Sequence, residues 1–140
     1  MSNSAPASVT RTWPGAGWRL ASAAVFLAGL AGLWLLSSQS SLPQPPPLLR
    51  GLDKLQHALA YSLLGLSAQT ALGVRHHSWS TWLAVALVVA YAVVDELHQG
   101  SVPGRDASAF DALADAGGAC VGCALGRWWA ERRREKTRSR

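Results

Sequence analysis

Residues 18–37, WRLASAAVFLAGLAGLWLLS, are apolar apart from Arg19 and small hydroxyl-bearing or glycine positions, with Arg11 and Arg19 on the amino side. A hydrocarbon core about 30 Å thick is crossed by about 20 such residues in a helix. The stretch is therefore expected either to span a bilayer or to serve as a cleaved signal. A signal core runs to about 7–15 residues and ends on an Ala-x-Ala-like site. Here the run is longer, and the SSQSS that closes it offers no such site. An uncleaved first span is the expectation.

Three more segments repeat the pattern. Residues 55–72, 79–95 and 108–129 read as further spans, the last the weakest because it carries Asp111 and Asp115. Charged residues make up only 15% of the 140, against roughly 25% in ordinary soluble domains. The fold class expected is all-α, an integral membrane bundle of four transmembrane helices. Residues 1–17 read as a disordered tail, 18–130 as the membrane domain and 131–140 as a basic cytoplasmic tail. Between the first two spans LPQPPP is a stiff polyproline-type spacer. GVRHH, at 73–77, is a short basic turn.

In the fourth segment Gly118, Gly122 and Gly126 recur every four residues, one step after Ala114. Small residues at this spacing let helix backbones approach closely in lipid, where packing replaces the hydrophobic drive. That face should turn inward, with Phe110, Leu113, Val121 and Leu125 outward. Cys120 and Cys123 lie inside the ladder without a second pair and read as small packing residues rather than a redox or metal site.

Orientation follows from the basic residues. With four spans both termini share one side, which holds ten of the thirteen Lys and Arg, leaving Arg50, Lys54 and Arg105 opposite. The excess assigns the termini to the cytoplasm. Six of the seven tryptophans fall at the same interface, Trp34 being the exception. The basic tail directly after an apolar helix, without interleaved aromatics along a groove, argues against nucleic acid.

The charges concentrate elsewhere. Residues 95–115, DELHQGSVPGRDASAFDALAD, hold five of the eight acids. Ionisable groups beside spans are costly in lipid and should face a shared cavity and pair. The candidate ligand-binding residues are Asp53, His57 and Tyr61, which recur every four residues on one stripe, together with Asp95, Glu96, Gln99, Arg105, Asp111 and Asp115. Each has a structural alternative: Asp53 as a helix cap, His57 as a satisfied interior histidine, Ser108 with Asp111 as a capping box, and Glu96 with Arg105 as an ion pair closing the loop. A metal reading of Asp53, His57, Glu96, His98 and Asp111 uses suitable ligand types, but scatters them over three segments. No metal and no cofactor are expected. Neither a G-x-S-x-G nor a phosphate-cradling glycine loop occurs.

Taken in order, Asp53-Lys54-x-x-His57-x-x-x-Tyr61-x-x-Leu64-Gly65, Tyr91-x-x-x-Asp95-Glu96-x-x-Gln99, Val102-Pro103-Gly104-Arg105, then Asp111, Asp115, Gly118 and Gly122 resemble the VanZ-like family. These are small membrane proteins named for a teicoplanin-resistance protein, and the resemblance runs from about residue 50 to 126. Many members carry Asn where this chain has Asp115. The resemblance implies a multi-pass protein of the bacterial inner membrane with about four helices, and no established reaction. Three functions stay open. The first is a non-enzymatic envelope protein whose outward-facing pocket binds an amphiphile, a cell-wall precursor lipid or a lipoglycopeptide, beside membrane lipids. The second is an enzyme acting on a lipid headgroup with Glu96 or His57 as base. The third is an assembly partner whose charges only lock helices together.

Overall fold

A computed structural model describes residues 15–40, 52–73, 79–105 and 107–139. Four helices make up the fold: α1 (Ala16–Ser37), α2 (Leu52–Leu72), α3 (Trp79–Gln99) and α4 (Ala109–Arg138). Among the described residues there is no strand. The N-terminal tail up to residue 14, the proline spacer and the basic turn with His76 and His77 lie outside the described residues.

α1 and α2 begin two and three residues before the expected 18 and 55, and two boundaries differ by more. α3 continues through Gln99, so Asp95, Glu96 and Gln99 stand on its last turns. α4 continues through Arg138, so most of the basic stretch after 130 is helix, not a separate tail. Arg, Lys and Glu all favour helix, and an Arg127–Glu131 pair at 2.9 Å braces the extension one turn apart.

Three helices, α1, α3 and α4, are long and apolar enough to cross a membrane. α2 has 21 residues, about 32 Å of helix, but falls short in apolar character. Tyr61, Ser67 and Gln69 turn inward, and Leu52, Leu55, Leu59 and Leu63 form its exposed stripe. The whole bundle shows this inversion. Leu97 and Phe110 are each 71% exposed, whereas Asp95 and Asp115 are at most 2% exposed. A water-soluble fold hides its large apolar residues and solvates its carboxylates. This one does the reverse, as a lipid-facing surface requires.

α2 and α4 make the most extensive contact, and the glycines explain why. A Cβ on Gly118 would strike the Ala58 backbone, and one on Gly122 the Ser62 carbonyl and the Leu66 nitrogen. From the other side, Gly65 abuts the Ala119 carbonyl. Backbones this close leave no room for any side chain, so glycine is required on both helices. Gly126 packs against the Gln69 side chain instead. Ser62 donates to the Gly118 carbonyl at 3.0 Å and the Cys123 thiol to the Gly65 carbonyl at 3.3 Å. Cys120 is exposed and Cys123 buried, so the two sulfurs face different surroundings. Phe110, Leu113, Val121 and Leu125 are all turned outward.

The end holding the start of α1 and the far end of α4 is closed by aromatics and one arginine. Trp18 lies 6.2 Å from Trp129, ring to ring. The Arg19 guanidinium donates to the Ala71 and Leu72 carbonyls at 2.9 and 3.2 Å, satisfying acceptors that the end of α2 leaves open. Gly73 follows with φ of 74° and donates to the Gln69 carbonyl, the left-handed closure glycine allows. At the other end, Trp34 stacks on His98 with 4.0 Å between rings, and Ser38 and His98 share a hydrogen bond of 2.9 Å. These contacts tie α1 to α3, as does Tyr91, which donates to the Leu30 carbonyl at 2.6 Å.

Candidate functional site

The polar site sits between the first turns of α2, the last turns of α3 and the start of α4. The α3–α4 connection is built by a tight turn: Arg105 N–H donates to the Val102 carbonyl at 3.1 Å, with Pro103 second and Gly104 third. Gly104 has φ of 81°, which a turn of this kind demands at its third position. The turn sends Arg105 back over α3, where its guanidinium donates to Gln99 Oε1 at 3.1 Å. The chain then enters α4 through Ser108, whose Oγ accepts from Asp111 N–H at 3.3 Å.

Two buried pairings cross between helices. Tyr61 on α2 donates its hydroxyl to Asp95 Oδ2 at 3.3 Å, and Gln99 Nε2 donates to the same oxygen at 3.1 Å. Gln99 Nε2 also reaches Ser37 Oγ on α1 at 3.3 Å. The Gln99 amide thus links the Arg105 guanidinium to the Asp95 carboxylate without the two touching. Beside this network, His57 Nδ1 on α2 lies 3.0 Å from Asp115 Oδ1 on α4. His57 is 23% exposed in its side chain and Asp115 1%. A buried carboxylate therefore backs and orients a partly accessible imidazole.

The remaining pairings depart from the sequence expectation. Asp53 does not join the stripe: it contacts Lys54, through the Lys54 N–H at 2.8 Å and the ammonium at 3.6 Å. Lys54 instead faces α4, donating to Asp111 Oδ1 at 2.5 Å. The inward stripe is Lys54, His57, Tyr61, spaced three and then four, which is the truer helical repeat. Glu96 forms no ion pair with Arg105 among the described residues; its Oε1 accepts from the Ser108 N–H. That carboxylate closes the start of α4, the return role a capping box would give Asp111, while Asp111 turns to Lys54. His98 stands apart with Trp34 and Ser38, and among the described residues no three His, Cys, Asp or Glu side chains are grouped to hold a metal ion.

Sequence reasoning missed Lys54 and Ser37 as members. Lys54 was readable from the three-four spacing. Ser37 was not, because its inclusion depends on how α1 leans on α3.

Among the described residues, three buried carboxylate oxygens have no partner: Asp95 Oδ1, Glu96 Oε2 and Asp115 Oδ2. Each belongs to a residue at most 8% exposed. Buried polar atoms are nearly always hydrogen-bonded. The three lie within one end of the bundle, where the Arg105 guanidinium also has no carboxylate partner among the described residues.

Fold and site define a helical protein with three helices long and apolar enough to cross a membrane and an interior polar cluster at one end. The VanZ/LLP1 family model matches residues 14–130, and the chain belongs to that family. No curated protein and no solved structure matches it.

Proposed function

We propose that this VanZ-like chain is a multi-pass protein of the bacterial inner membrane, with all four helices spanning and both termini cytoplasmic. Its polar site faces outward and binds the headgroup of an amphiphilic envelope component, a cell-wall precursor lipid or a lipoglycopeptide. The observation that carries the reading is the set of three unpartnered buried carboxylate oxygens at the end of the bundle where the Arg105 guanidinium, bonded to Gln99, has no carboxylate partner among the described residues. Acceptors without donors suit the hydroxyl or amine groups of a headgroup. The guanidinium suits its phosphate or carboxylate, in the bidentate geometry Arg favours. α2 enters the bilayer with these polar groups turned inward, paired across helices as intramembrane charges must be. The reading extends to teicoplanin-type glycopeptide resistance, the trait for which the founding relative is named.

The experiment compares wild type with Arg105→Ala and Glu96→Gln, extracted from native membranes, by mass spectrometry of the amphiphiles that co-purify. A species held by wild type and depleted in both variants supports the reading. Identical retained species in all three, with normal insertion, overturns it.

A second reading rests on a specific observation, the His57–Asp115 pair at 3.0 Å. An imidazole oriented by a buried carboxylate is a general-base arrangement. In this reading His57 draws a proton from water that attacks a lipid headgroup ester. His57→Gln abolishing headgroup release from a reconstituted lipid, while leaving binding intact, would favour it over binding alone.

A further inference from the structure

We propose that the end of α4, residues 128–136, together with the indole rings around it, is a binding surface for anionic phospholipid headgroups. The length of the helix comes first. α4 has 30 residues, about 45 Å, and its first turn already lies at the polar site. A hydrocarbon core of about 30 Å leaves the last ten or so residues in the headgroup layer and just beyond it. Its indoles lie within the part of the chain matched to the family, and Arg132, Arg133 and Lys136 just past it.

The rings fix the level. Trp18, Trp79, Trp82 and Trp128 are 46–71% exposed at this end of the bundle. An indole, apolar with one donor, settles at the boundary between tails and headgroups. The guanidiniums are held to those rings: Arg132 lies 4.6 Å from the Trp128 ring centre and Arg133 5.2 Å from that of Trp129. Stacked on indoles at the boundary, they stand at the depth of the lipid phosphates.

The charge balance fits the same partner. Residues 127–136 carry five basic side chains against Glu131 and Glu135. Glu131 is already engaged by Arg127, which also donates to Thr81 at 3.3 Å. Among the described residues neither Arg132 nor Lys136 has a carboxylate partner. Basic side chains close to an anionic surface each strengthen attachment by about 1 kcal/mol, roughly fivefold.

The test uses the full chain in nanodiscs of phosphatidylcholine containing a minority of phosphatidylglycerol, with retained lipids identified by native mass spectrometry. Wild type should retain phosphatidylglycerol well above its share of the disc, less so as salt rises. Arg132→Gln with Lys136→Gln should lower the enrichment by about fivefold per residue. Glu135→Gln, which removes a negative charge from the same face, should raise it. Helical content by circular dichroism checks that each variant is folded. Equal retention of the two lipids by wild type, or enrichment that none of these substitutions moves, overturns the proposal. So does tight binding of a polynucleotide in purely zwitterionic discs that the same double substitution abolishes.

Discussion

Gly117 and Gly118 are neighbours on α4 and differ in one respect. A Cβ on Gly117 meets nothing within 4 Å, whereas on Gly118 it runs into the Ala58 carbonyl and Cα. Gly-to-Ala within a helix gains about 0.5–1 kcal/mol from propensity alone. Gly117→Ala should therefore be neutral or stabilising by up to about 1 kcal/mol. Gly118→Ala has the same gain but must push α2 and α4 apart by about an ångström against backbone, which cannot rotate away. Overpacking costs about 1–3 kcal/mol. The separation also loosens the Ser62–Gly118 and His57–Asp115 hydrogen bonds, about 0.6 kcal/mol each on a membrane scale. The two variants should differ by about 2–4 kcal/mol, in opposite directions from wild type at the upper end. Unfolding equilibria in mixed micelles, read by circular dichroism, measure this. Equal shifts for the two alanines would refute the close α2–α4 backbone contact and everything built on it.

Four further outcomes follow from single contacts. Asp95→Ala strands the Tyr61 hydroxyl and leaves the Gln99 amide only Ser37; it should cost about 1–3 kcal/mol by the same assay, more than Tyr61→Phe, which removes one donor. Arg19→Gln gives up the two carbonyls at the end of α2; a loss of about 1–2 kcal/mol is expected, with hydrogen exchange quickening at 70–73. Tyr91→Phe removes the bond to Leu30 and should lower stability by about 1 kcal/mol without altering ligand retention. Ser108→Ala loses the cap of α4, about 1 kcal/mol, and frees Glu96 little, because that carboxylate is held by the backbone N–H rather than the hydroxyl.

Much of the helical layout was legible because length and apolar runs decide it. The 20-residue stretch at 18–37 leaves few options, and the glycine spacing at 118, 122 and 126 already named a close-packed face. The ranking of the spans was not legible: the fourth segment reads as the weakest, yet α4 is long and apolar enough to cross a membrane while α2 falls short, its compensation coming from which face its leucines take. The site was legible as a set of residues and less so as pairs. Glu96 and Arg105 invite pairing by charge, but the turn through Pro103 and Gly104 aims Arg105 at Gln99 and brings the Ser108 N–H to Glu96. Asp53 and Lys54 are adjacent, and only the rotation of α2 about its axis determines which of them meets Asp111. Such choices depend on packing between helices distant in sequence, which local spacing does not encode. Helix α3 runs past the expected 95 because Asp95, Glu96 and Gln99 are tolerated in helix where the bundle buries them.

The most direct measurement is an electron cryo-microscopy map of the chain in discs of native envelope lipid, at a resolution that separates side chains from lipid. The account predicts headgroup density bridging Arg105 to the Asp95, Glu96 and Asp115 carboxylates, with the acyl chains leaving between the helices into the bilayer. Arg105 folded onto Glu96, with the three carboxylates closed over and no density but water between them, would contradict it.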